Sequence, residues 1–212
     1  MSGASPTPSV SSGSSGLRRL RWLVPLAAAL LVFVVVAGVE AMRQSDQMTG
    51  STQVQSAGFS MPASSRPVPF SLPVLQPAST DPTRTGAVTM SSLVGKPLVL
   101  NMWSSFCTVC KQETPAMEAV ERRAGGSVRF VGVDTLDQRA TALAFLRRYH
   151  VTYLQLFDNA ERVGSGYAIP GLPVTVFVSA KGKVVGEYLG ALSSKTLVHY
   201  LRSLFGVRLA AS

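Results

Sequence analysis

The sequence predicts an α/β fold, a mixed sheet flanked by helices, preceded by one N-terminal transmembrane helix. Three observations predict it. Strand-like and helix-like segments follow the order βαβα and then ββα in the second half of the chain, which needs both parallel and antiparallel neighbours. Trp22 to Val39 run eighteen residues without a charge, which at ~1.5 Å per residue reaches ~27 Å, close to the hydrocarbon thickness of a bilayer. The 212 residues allow one domain of ~100–200 residues and an appendage, and 46% hydrophobic content excludes a disordered chain.

Residues 1–21 read as a disordered cytoplasmic tail, because Ser, Gly, Pro and Thr dominate and bury too little surface to offset ordering entropy. Residues 22–42 are the expected anchor. Arg18, Arg19 and Arg21 precede it while Glu40, Arg43 and Asp46 follow, so the positive-inside bias puts the rest of the chain outside the cytoplasm. A cleaved signal ending near Ala37-Gly38-Val39 is the alternative, and Arg18-Arg19 matches twin-arginine export poorly; each of these exports the same domain. Residues 43–65 repeat the tail's composition and read as a flexible linker, leaving 66–212 for the folded domain.

Pro97 to Trp103 follow the turn signal Gly95-Lys96-Pro97 as an aliphatic run suited to a central strand buried on both faces. Thr108 to Arg123 carry apolar residues at helical spacing until Gly125-Gly126, and Pro115 predicts a kink within that helix. Val128 to Val133 then read as a strand, Ala140 to Tyr149 as a helix, and a short apolar run ends at Asp158. A small helical patch spans Glu161 to Tyr167. Val174 to Val178 and Val184 to Leu189 form strands joined by a turn at Lys181-Gly182-Lys183, and Ser193 caps a last helix reaching Phe205.

Cys107 and Cys110 are the only cysteines, which excludes a multi-disulfide scaffold and any four-cysteine zinc or iron–sulfur site. Lys111 stands where a c-type haem motif needs His, and His150 and His199 read as ordinary helix-face residues. No metal or added cofactor is expected. A peroxiredoxin motif would need Pro at Leu100.

The segment Leu98-Val99-Leu100-Asn101-Met102-Trp103-Ser104-Ser105-Phe106-Cys107-Thr108-Val109-Cys110-Lys111-Gln112-Glu113-Thr114-Pro115 resembles the active-site segment of the TlpA/ResA-like thioredoxin family, in which a V-L-N-F-W strand leads into W-C-x-x-C-x-x-E-x-P. Gly171-Leu172-Pro173 and the strand after it resemble that family's cis-proline strand, and Val68 to Pro73 resemble its N-terminal hairpin. Three ordered motifs are more specific than a lone C-x-x-C. The resemblance covers about residues 66 to 205 and implies a thioredoxin-like fold in a membrane-anchored thiol–disulfide oxidoreductase.

At a helix start the pair can close into a disulfide or open to a dithiol. The helix N-terminus favours the thiolate of Cys107, which makes it the nucleophile, with Cys110 the resolving thiol. Glu113, three residues further on, can accept the Cys110 proton, a role the family gives its matching glutamate; a solvated helix-face acid like Glu118 and Glu121 is the alternative. Thioredoxins proper carry an aspartate at the position of Asn101. The resemblance implies that Pro173 is cis and that the backbone of Leu172 pairs with a substrate peptide. Trp103 and Phe106 can form an apolar rim around Cys107, with a core role the alternative for Trp103.

Thr108-Val109 replaces the family's common x-Pro and supplies no charge to stabilise the thiolate, so a mild reductant is expected. The expected partners are disulfides or thiols of exported proteins and a membrane electron donor, as in family members that serve cytochrome c maturation. An oxidase or isomerase, and a non-catalytic peptide-binding module, remain the alternatives. The net charge of +9 falls to +6 over residues 88–212 and is spread along the chain, so outside the cytoplasm no nucleic acid is expected.

Overall fold

The computed structural model describes residues 58–61, 66–168 and 170–209. The tail 1–21, the anchor 22–42 and most of the 43–65 linker lie outside the described residues. Among the described residues no helix is long and apolar enough to cross a membrane.

Among the described residues eight strands form one sheet: β1 Gly58–Ser60, β2 Ser71–Gln76, β3 Ala87–Thr89, β4 Leu98–Trp103, β5 Arg129–Thr135, β6 Leu154–Asp158, β7 Val174–Val178 and β8 Val184–Leu189, in the spatial order β1-β8-β7-β4-β5-β6-β2-β3. The helices are α1 Thr108–Ala124, α2 Arg139–Arg148, α3 Arg162–Gly166 and α4 Ser194–Phe205, with a 3₁₀ turn at Met90–Leu93. Strands β4, β5 and β6 are parallel, whereas β7 runs antiparallel to β4 and β8 to β7. This is the expected mixed sheet with flanking helices.

Every residue of β4 is buried, because alternate side chains feed cores on opposite faces of the sheet. Val99 and Trp103 join Met117, Val120, Phe145, Leu197 and Leu201 beneath α1, α2 and α4. Leu98, Leu100 and Met102 join Val131, Leu156 and Val176 on the other face. The strand that carries the cysteine turn at its end is therefore clamped on both sides.

One expectation needs correction. The linker expected over 43–65 contains β1, which pairs with β8 in the register Phe59↔Tyr188. Phe59 stacks on Tyr200 at 4.7 Å and covers Gly186, where a Cβ would collide with its ring. One aromatic residue anchors a strand that the Ser/Gly-rich average around it conceals. Helix α1 runs through Pro115 as one element, and the exposed position of that ring on the helix lets solvent serve the carbonyl left without an N–H partner.

Candidate active site

At the end of β4 the chain turns through Ser104–Phe106 and starts α1, with Cys107 as its N-cap. Cys107 and Cys110 form a disulfide with Cα atoms 5.3 Å apart. The Cys110 N–H donates to Cys107 Sγ at 3.0 Å, so one of the helix's first unpaired donors points at that sulfur. The two thiol positions are unequal: Cys107 is half-buried, while Cys110 is 1% exposed and packs in the core.

Pro173 lies just before β7, and the Leu172–Pro173 bond is cis, as expected. Val174 pairs with Met102, so one register step further Pro173 stands beside the end of β4 that leads into the cysteine turn. Its carbonyl accepts from Gly190 N–H at 2.9 Å, and Leu172 is half-buried against both cores.

The expected aromatic rim divides in two. Phe106 is 61% exposed, but Trp103 is a core residue. It stacks on Phe145 at 4.6 Å, and its indole N–H donates to Gln155 Oε1 at 2.9 Å. Burial leaves Trp103 no surface to offer as rim. Gln155 fits in the core because Gly132 faces it from β5, where a Cβ would overlap the amide.

Glu113 faces inward, not to solvent. Its carboxylate is 2% exposed and accepts from Asn101 Nδ2 and from the Leu192 N–H, each at 3.0 Å. The Asn101 amide also donates to Thr175 Oγ1 at 3.1 Å, tying β4, α1 and β7 together one turn beyond Cys110. Glu118 is buried as well, where the expectation was a solvated acid; it accepts from the N–H and hydroxyl of Thr152 and pairs with Arg122. Burial pushes the Glu113 pKa from 4.5 up to about 7, against the pull of its two donors.

This shift has a stability consequence. A carboxyl whose pKa is raised on folding contributes fully below its unfolded pKa, and that contribution is lost as pH rises through the folded value. Between pH 4.5 and about 7 the wild type should therefore lose up to about 3 kcal/mol relative to Glu113→Gln. Urea denaturation of both proteins at pH 5 and pH 8 checks this. Parallel pH dependences would mean that Glu113 is ionised throughout.

Sequence reasoning missed Asp137. Its carboxylate accepts from the Ser105 N–H at 2.7 Å, so the loop after β5 holds the turn that presents Cys107. Two aspartates three apart at a strand end were the available signal. His150 and His199 are exposed, and among the described residues no group of three His, Cys, Asp or Glu side chains could hold a metal.

Comparison with known proteins finds chains similar to this one in sequence and fold. The AhpC/TSA family matches residues 69–186. The thiol:disulfide interchange protein DsbE of Allochromatium vinosum is 33% identical over 136 residues, 63% of this chain and 71% of that protein. The thiol-disulfide oxidoreductase ResA of Bacillus subtilis is 27% identical over 115 residues, 54% of this chain and 64% of that protein. Among solved structures, MTB DsbF in its mixed oxidised and reduced forms superposes with a TM-score of 0.57 at 30% identity, covering 65% of this chain and 96% of that one.

Proposed function

Because this chain belongs to the AhpC/TSA family and is a thiol–disulfide oxidoreductase, we propose that it reduces disulfides of exported proteins outside the cytoplasm, held to the membrane by residues 22–42. The observation that supports this reading is the asymmetry of the pair, with Cys107 half-buried on a helix N-terminus and Cys110 enclosed beneath it.

In the reduced protein the Cys107 thiolate attacks one sulfur of a partner disulfide, forming a mixed disulfide and releasing one partner thiolate. Cys110 loses its proton to Glu113 and attacks Cys107 Sγ. That step releases the second partner thiolate and closes Cys107–Cys110. Two electrons pass to the partner, whose two thiolates take up protons. Phe106 and Leu172 contact the substrate chain beside the pair, and Pro173 sets the edge on which that chain lies. A membrane thiol donor returns the pair to dithiol. A place in cytochrome c maturation follows the family resemblance of the active-site segment.

The test is reduction of insulin disulfides by the domain from Gln55 onward, which keeps β1. Turnover that disappears in Cys107→Ser is expected. Activity no higher than that variant's would leave a peptide-binding module.

A further inference from the structure

Two buried or half-buried carboxyls beside the cysteine turn have no part in the chemistry above. Asp134 lies near the end of β5, between Trp103 of β4 and Phe157 of β6 in register. It is fully buried, and neither carboxyl oxygen has a hydrogen-bond donor. Asp137 is richly bonded: it accepts from the Ser105 N–H at 2.7 Å, Ser104 Oγ at 3.4 Å, the Gln138 N–H at 2.7 Å and Thr141 Oγ1 at 2.6 Å. An ionised carboxylate enclosed without donors is strongly disfavoured, so the form of Asp134 that fits its site carries a proton. Asp137 is the neighbouring group able to accept that hydrogen bond.

We propose that Asp134 and Asp137 form a proton-sharing positioning pair, in which protonated Asp134 donates to the Asp137 carboxylate and Asp137 in turn fixes the Ser104–Ser105 turn that presents Cys107. The inference rests on Cys107 being the attacking thiol. The charged groups facing Asp134 are Asp137, in the loop after its own strand, and Arg139 of α2; Trp103 and Phe157 bring none. Burial and the Asp137 charge hold the Asp134 pKa up to about 8, with Arg139 pulling the other way. Burial pushes Asp137 up too, but the donors from Ser105, Thr141 and Gln138 prevail and keep it below its usual value. The pair therefore bears one negative charge through neutral pH. Above about pH 8 it bears two, and their repulsion loosens the hold on Ser105.

The experiment follows the carboxyl carbons of the full chain labelled with ¹³C-aspartate, together with the iodoacetamide alkylation rate of Cys107 in the Cys110→Ala background. One aspartate is expected to titrate near pH 8, disturbing a second aspartate signal, and both features should vanish in Asp134→Asn. The alkylation profile should depart from a single thiol titration by roughly threefold at the same midpoint, the weight of one weakened hydrogen bond. Asp134→Asn should remove that departure, whereas a merely structural role would alter stability without moving it. If Asp134→Asn does not fold, Asp137→Asn should shift the Asp134 titration downward, because the neighbouring negative charge is gone. Aspartates all ionised by pH 6, an Asp134 midpoint indifferent to Asp137→Asn, or an alkylation profile indifferent to Asp134→Asn would each overturn the proposal. Absence of insulin reduction with the carboxyl titration intact would instead count against the function alone.

Discussion

Cys110→Ala is expected to turn the protein from a catalyst into a trap, with turnover falling about a hundredfold or more while mixed disulfides accumulate on Cys107. The reason is geometric. Cys107 is half-buried at the surface and can meet an external disulfide, but the resolving sulfur is enclosed at 1% exposure where a partner cannot reach it. Cys107→Ala should then form almost no mixed disulfide, since the remaining thiol is buried. Non-reducing electrophoresis and mass spectrometry of each variant after exposure to exported proteins reads the difference. Trapping by Cys107→Ala and not by Cys110→Ala would reverse the two roles.

The second large effect lies behind the site. Gly132→Ala should destabilise the folded domain by about 2–4 kcal/mol, although it adds a single methyl group. That methyl would overlap the side-chain amide of Gln155, which is fully buried and is the hydrogen-bond partner of the Trp103 indole. Either the amide moves and leaves the indole N–H unpaired, or β5 shifts away from β6. Denaturant unfolding of the domain from Gln55, where Trp103 is the only tryptophan, reports both the midpoint and the indole environment. A loss under about 0.5 kcal/mol would show that Gln155 swings aside freely.

Much of the fold was legible because its signals are local. The aliphatic continuity of Leu98 to Trp103 marked a strand buried on both faces, and Ser193 marked the start of α4, where its hydroxyl accepts from the Thr196 N–H at 3.1 Å. The cysteine pair, the proline strand and Glu113 were legible as motifs. Orientation and long-range partnership were harder to read. Glu113 and Glu118 fall on the same helical stripe as Cys110, Thr114, Met117 and Ala124, all buried in α1, so spacing could have turned both acids inward. Their polarity argued the other way. It is answered by distant donors at Asn101, Leu192 and Thr152, which no local pattern announces. Trp103 went to the core for the same kind of reason, since its partner Gln155 is fifty-two residues away and needs the space left by Gly132. β1 was hidden because its stability comes from Tyr200 and the edge of β8, not from its own three residues.

The direction of electron flow is the centre of the proposed function, and the redox state of Cys107 and Cys110 in growing cells tests it most directly. Acid quenching followed by alkylation separates dithiol from disulfide without purification. A reductase in an oxidising compartment must be kept charged by a donor, so the pair should be found mostly as dithiol, with a purified potential of about −200 to −270 mV. A pair found mainly as disulfide, with a potential above about −150 mV, would contradict the reductase reading and favour disulfide formation in exported proteins.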